Sequence, residues 1–174
     1  MFFSFVREGC VSGGLISRKY GEPTAYLAIA YPRISTAMND YPRPMLTVDT
    51  VVLTGEPTPS VLLIQRGNPP FAGAWALPGG FVDEGETVAE AAPRELEEET
   101  GLRVGPLEML GVYDTPGRDP RGWTVSVVYL ARVPGRAEVR GGDDAREACW
   151  FAGDALPDLA FDHALIVADA LRRN

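Results

Sequence analysis

From residue 44 onward, apolar positions follow two different periods. Leu46 to Thr54 (LTVDTVVLT) is rich in β-branched residues and predicts a strand. A turn over 55–60 with two prolines leads to a second strand, Val61 to Gln65. Trp75 to Val82 interrupts its apolar residues with Gly79-Gly80, which predicts an irregular strand or a tight bend. Leu107 to Tyr113 and Trp123 to Val133 read as strands, 136–144 as a loop, and Cys149 to Phe151 as a short strand. Two stretches have helical spacing instead: Val88, Ala89, Ala92 and Leu96 in mid-chain, and Leu165, Ala168 and Leu171 within Phe161 to Arg173. Arginines at the end of the second suit a helix C-terminus. Strands mixed with helices predict the α/β class, a mixed sheet covered by helices.

The pattern is weaker before that point. Thr24 to Tyr31 (TAYLAIAY) has strand-like composition, and Tyr41-Pro42-Arg43-Pro44 favours an extended connector. The chain therefore divides into an N-terminal extension over 1–43, to which the sequence assigns no role, and a domain over 44–174.

The mid-chain helix carries its own boundaries. Thr87-Val88-Ala89-Glu90 is a capping box, and Gly101 suits the left-handed residue that ends a helix. Within it Glu95, Glu98 and Glu99 stand at i, i+3 and i+4, inside roughly 100° of arc. Three carboxylates on one face repel, and a hard divalent cation with oxygen ligands offsets that repulsion. A solvated acidic face is the plain alternative for a glutamate run. Pro93 interrupts the hydrogen-bond ladder and predicts a kink or a loosened first turn.

Composition narrows the chemistry. With 174 residues, 45% hydrophobic and 23% charged, the chain suits one globular domain with a real core. A formal charge of −8 argues against general nucleic-acid binding, although metal ions let an acidic protein hold phosphates. Cys10 and Cys149 are too few for a disulfide framework or a four-ligand zinc site, and His163 is the only histidine. Zinc and Ser/His chemistry are accordingly discounted. No apolar run approaches the roughly 20 residues of a membrane span, and the start is a poor signal peptide. The expectation is a cytoplasmic protein with reduced thiols that binds neither membrane nor nucleic acid.

The residues around the helix sharpen this. Gly80 to Leu102 reads GFVDEGETVAEAAPRELEEETGL. It runs as a glycine, five residues, glutamate, seven residues, then Arg-Glu-aliphatic-any-Glu-Glu-any-Gly-aliphatic. Gly80, Glu86, Arg94, Glu95, Leu96, Glu98, Glu99, Gly101 and Leu102 fill every fixed position, and the segment resembles the box of the Nudix hydrolase family. The resemblance covers Pro44 to Asn174. It implies an α/β/α sandwich around a mixed sheet, with Glu95, Glu98 and Glu99 holding magnesium (manganese as a possible substitute). The carbonyl of Gly79 would add a ligand, Glu86 would serve indirectly or through water, and Arg94 would orient a glutamate. Glu98 or Glu95 would take the proton of the attacking water, whose pKa the metal lowers. Asp143, Asp144 and Glu147 are the acidic candidates from a later loop. A homodimer is expected by family analogy.

The stretches 70–81, 118–122 and 142–145 are similar to those of the ADP-ribose pyrophosphatase branch. ADP-ribose, cleaved to AMP and ribose 5-phosphate, is the expected substrate. Diadenosine polyphosphates and oxidised nucleoside triphosphates are the alternatives, and a non-catalytic sensor of ADP-ribose-type ligands is a third, against which the intact box speaks. Arg118 and Arg121 would grip a phosphate, or else pair with Asp119 and its neighbours. Trp75 or Phe71 would stack on adenine, or else fill the core. Arg66 ends a strand and would face the phosphates, and Asp144 would join the substrate site.

Overall fold

A computed structural model describes residues 41–142 and 145–173. The strand expected over Thr24 to Tyr31, Cys10 and the pair Asp143-Asp144 lie outside the described residues. Seven strands and two helices follow in the order β1 (Met45–Thr54), β2 (Ser60–Arg66), β3 (Trp75–Ala76), β4 (Gly79–Phe81), α1 (Val88–Thr100), β5 (Glu108–Tyr113), β6 (Thr124–Val133), β7 (Ala145–Ala152) and α2 (His163–Arg172). They form one mixed sheet with the path β3-β2-β1-β6-β5; β4 also pairs with β1, and β7 with β2.

β1 organises the sheet. It pairs with β6 in parallel along its whole length, and β4 joins it antiparallel at Thr47 to Asp49. All its residues from Thr47 to Thr54 are buried, as a strand covered on both faces requires. Alternation then sorts the side chains between two layers. Val51, Leu53, Val61 and Leu63 pack with Ile166, Val167 and Ala170 of α2. Val52, Leu62 and Ile64 pack with Leu96 of α1, and Val48 with Ala91 and Ala92. The expected α/β/α sandwich is the observed architecture. Among the described residues no helix is long and apolar enough to cross a membrane.

Three expectations need correcting. The bend over 75–82 resolves into two short strands, β3 and β4, because Trp75–Ala76 pairs with β2 while Gly79–Phe81 pairs with β1. β7 begins at Ala145, four residues before the expected Cys149, because Arg146 and Glu147 carry polar side chains on a strand whose backbone pairs with β2 from Ala145 on, with a bulge opposite Gln65-Arg66. α1 runs through Pro93 as one helix. Proline there forfeits the bond to the carbonyl of Ala89, but the capping box at Thr87 and Glu90 fixes the first turn, and Ala91, Ala92 and Leu96 anchor the helix to the sheet.

Candidate functional site

α1 and the β4 corner build one wall of the site. The N–H of Glu90 donates to Thr87 Oγ1, Thr87 N–H returns a bond to Glu90, and Gly101 ends the helix at φ 68°. Leu96 and Leu102 are buried on the sheet side. Arg94 is the hub of the acidic face. Its Nε and Nη2 reach the two oxygens of Glu86, both at 2.7 Å, a bidentate pair. Nη1 reaches Glu95 at 2.8 Å and Glu98 at 3.0 Å, and Nη2 also donates to the carbonyl of Phe81. The hydrogen bond to Glu86, above all, raises the pKa of Arg94, and the same bond lowers that of Glu86.

Gly80 explains why glycine stands at the head of this arrangement. A Cβ there would lie 2.5 Å from Glu95 Oε1, so only a bare α-carbon lets that carboxylate lie against β4. Gly79 is tighter still: a Cβ would come within 2.2 Å of the Val48 carbonyl oxygen. Its N–H donates to Glu99 Oε2 at 2.8 Å. Glu99 is 6% exposed, and burial pushes its carboxyl up to about 8 against that single N–H bond. Burial also raises Glu95, with Arg94 opposing it. Glu98 is the open member, its side chain 44% exposed.

These carboxylates fit a divalent cation. The donors are hard oxygens, the Gly80 hollow admits Glu95, and the buried Glu99 lacks a full counter-charge. As they stand, no three acidic, histidine or cysteine side chains among the described residues are gathered around one point. Arg94 holds Glu95 and Glu98 to one side, and Gly79 holds Glu99 to the other. Gly80→Ala should keep the fold, since the Cβ meets only the movable end of Glu95. It should weaken divalent-ion affinity by about 10- to 100-fold, as displaced ligand support does. Manganese titration calorimetry measures this, and unchanged affinity would remove Glu95 from the ion site.

The facing wall is a cleft between the sheet, the 114–123 loop and the start of α2. It is lined by Asp49, Arg66, Gly79, Gly80, Phe81, Glu99, Arg118, Asp119, Arg121, Phe161 and His163, among others. Arg66 and Arg121, both expected at the phosphates, are therefore on the cleft. Arg118 lines it too, but its side chain is 5% exposed and forms a bidentate pair with Asp162, at 2.9 and 2.7 Å. Arg121 pairs with Asp119 and keeps a 35% exposed side chain. Arg118→Ala would strand Asp162, whose bonds both come from that arginine. The loss should be about 3 kcal/mol, or roughly 10 °C in Tm by calorimetry. A Tm within about 2 °C of the parent protein would show the pair to be dispensable.

The two expected adenine platforms do not line the cleft. Trp75 packs edge-on against Phe151 at 4.7 Å, and Phe71 stands against the edge of Phe161 at 5.0 Å. Glu147 lies on β7 and accepts from the Cys149 thiol. Three cleft residues gain a place at the site only in the structure. Asp49 is the lone charge in a buried strand, a usable signal of a site. His163 is buried, and burial lowers its pKa, so it is neutral. Its Nδ1 accepts the Leu77 N–H at 2.9 Å, which leaves the proton on Nε2, 3.6 Å from Asp49 Oδ1. Phe161 had no local signal.

A mixed sheet between helices, with an acidic helix on a glycine corner and arginines on the cleft, is an arrangement suited to a phosphate anhydride. The NUDIX domain family model matches residues 43–170. The chain is 49% identical over 132 residues to an ADP-ribose pyrophosphatase of Methanocaldococcus jannaschii, covering 76% of each chain. It is 38% identical to the ADPR-responsive transcriptional repressor NtrR of Acinetobacter baylyi, over 78% of this chain and 56% of the repressor. Among solved structures, the NUDIX domain of Shewanella oneidensis NrtR complexed with ADP ribose superposes at TM-score 0.71 and 35% identity, over 76% of this chain and 90% of that one. A bifunctional NMN adenylyltransferase/ADP ribose pyrophosphatase of Francisella tularensis, complexed with AMP and a manganese ion, gives 0.65 and 30%, over 77% and 43%. The chain belongs to the Nudix family and is a Nudix pyrophosphohydrolase.

Proposed function

We propose that this enzyme hydrolyses ADP-ribose to AMP and ribose 5-phosphate, with magnesium as its ion and manganese as a substitute. The observation that carries the reading is one cleft that brings Glu99 of α1 and the Gly79-Gly80 corner together with Arg66 and Arg121. Opposed charges of that kind suit a diphosphate held through cations on both sides. The relatives that act on or bind ADP-ribose support the choice of substrate.

Glu95, Glu98 and Glu99, with the carbonyl of Gly79, are the residues to hold the ion, and Glu86 steadies them through Arg94. The ion supplies charge neutralisation at the diphosphate and a more acidic water. Glu98, the most exposed of the three, is best placed to accept the water's proton, with Glu95 the alternative. Arg66 and Arg121 orient the diphosphate. Asp144, which precedes β7 in the sequence, stays a substrate-site candidate.

The test is a substrate panel with and without magnesium. AMP plus ribose 5-phosphate from ADP-ribose supports the reading. A nucleoside monophosphate plus diphosphate from a triphosphate would replace it, as would preferential cleavage of a diadenosine polyphosphate. The similarity to the A. baylyi repressor favours one second reading, a sensor. Tight ADP-ribose binding without turnover in magnesium would establish that instead.

A further inference from the structure

Two local rules break together at the entrance to α2. Phe161 adopts φ 55°, a left-handed conformation that non-glycine residues seldom take. Asp162, the N-cap of α2, makes no capping hydrogen bond and gives both oxygens to Arg118. Phe71, whose edge-to-face contact abuts Phe161, is left-handed as well, at φ 62°. Strain of this kind persists where surrounding structure enforces it, and it clusters at functional sites.

What the strain delivers is the ring of Phe161 in the cleft, with two cations over it. The guanidinium carbon of Arg66 lies 4.9 Å from the ring centroid and that of Arg121 lies 5.5 Å from it, both within cation–π range. Phe81 contacts Arg121 as well, at 5.0 Å. Each arginine is also tethered along part of its fork: Arg66 to the carbonyls of Pro70 and Asn68, Arg121 to Asp119. Those bonds use Nε and Nη2 of both side chains, and among the described residues no hydrogen bond engages either Nη1. Proximity of like charges shows in Arg66, whose basicity is lowered by burial first and by Arg121 next. Two neighbouring guanidiniums, fixed in place with unused donors, make a seat for a phosphate oxyanion.

We propose that Phe161 is a positioning residue, whose ring holds Arg66 and Arg121 side by side as a two-arginine seat for the diphosphate of the substrate. Arg118 belongs to the same device without touching substrate: its pair with Asp162 fastens the 114–123 loop to the corner that presents the ring. The inference rests on the cleft's holding a nucleoside diphosphate derivative, not on ADP-ribose in particular.

The test compares Phe161→Leu, Phe161→Tyr and Arg121→Lys in the full chain, on the panel substrate cleaved most efficiently. Phe161→Leu should raise KM by about tenfold with kcat within about threefold, the pattern of lost substrate holding. Phe161→Tyr, which keeps a ring, should restore KM. Arg121→Lys keeps the charge but loses the planar fork, and should raise KM similarly. If Phe161→Leu does not fold, Phe161→Met takes its place with the same expectation. A lowered Tm with unchanged KM in Phe161→Leu, or an unchanged KM in Arg121→Lys, would overturn the proposal. Equilibrium binding of inorganic diphosphate separates the two claims. If no panel substrate turns over, the activity reading fails, yet about tenfold weaker diphosphate binding by Phe161→Leu would still uphold the seat. Equal binding would remove it.

Discussion

Glu98→Gln lowers turnover at least about a hundredfold in magnesium, while Tm changes little, as expected for a surface substitution. Glutamine keeps the shape and still accepts from Arg94 Nη1, so the helix face stays assembled. What disappears is a negative charge and a proton acceptor at the most exposed position of the acidic trio. A general base contributes about 10²- to 10⁴-fold, and loss of an anionic ion ligand adds to that. Steady-state kinetics at saturating magnesium and substrate measures the effect, with calorimetry alongside. Turnover within about tenfold of the parent would exclude Glu98 from both roles.

The ion-free protein should lose stability as the solution turns from mildly acidic to alkaline, and magnesium should remove the loss. Glu99 drives this. Its folded pKa, about 8, lies above the ordinary 4.5, so between those values the folded chain keeps a proton that the unfolded chain has released. The stability tied to that proton is fully present below the unfolded pKa and is lost as pH rises through about 8. Glu95 is shifted in the same direction, again by burial. The fall for Glu99 is on the order of 5 kcal/mol across the window. A bound cation favours the ionised carboxylate and so should flatten the profile. Denaturant unfolding from about pH 5 to 9, in chelator and in magnesium, tests it; stability that is flat or rising in chelator would contradict the buried, uncompensated state of Glu99.

The sequence was most legible where a structure is decided locally. α1 ends where the capping box and Gly101 place it, because caps are settled by four or five adjacent residues. The burial of Glu99 was also within reach: it follows Leu96 by three positions and Ala92 by seven, so it continues the apolar stripe. Spacing alone puts Glu95, Glu98 and Glu99 on one face as equals, whereas the helix buries Glu99, half-buries Glu95 and exposes Glu98. β7 was under-read because its polar residues hide a strand that is defined by its partner β2. The cleft was hardest to see. Phe161 and Arg66 are far apart in the chain, and nothing local marks Phe161 as the residue that joins the arginines. Trp75 likewise owes its place beside Phe151 to packing between distant segments.

Arg94 gives the acidic wall a stand-in cation of its own. With Glu86, Glu95 and Glu98 already clipped to one guanidinium, the helix does not wait for an ion in order to take shape. A divalent ion held by Glu95 and Glu98 would have to displace part of that clip. Polypeptides that fold around zinc collapse when it is stripped away; here a guanidinium already ties the acidic face together, so its shape does not hang on a metal.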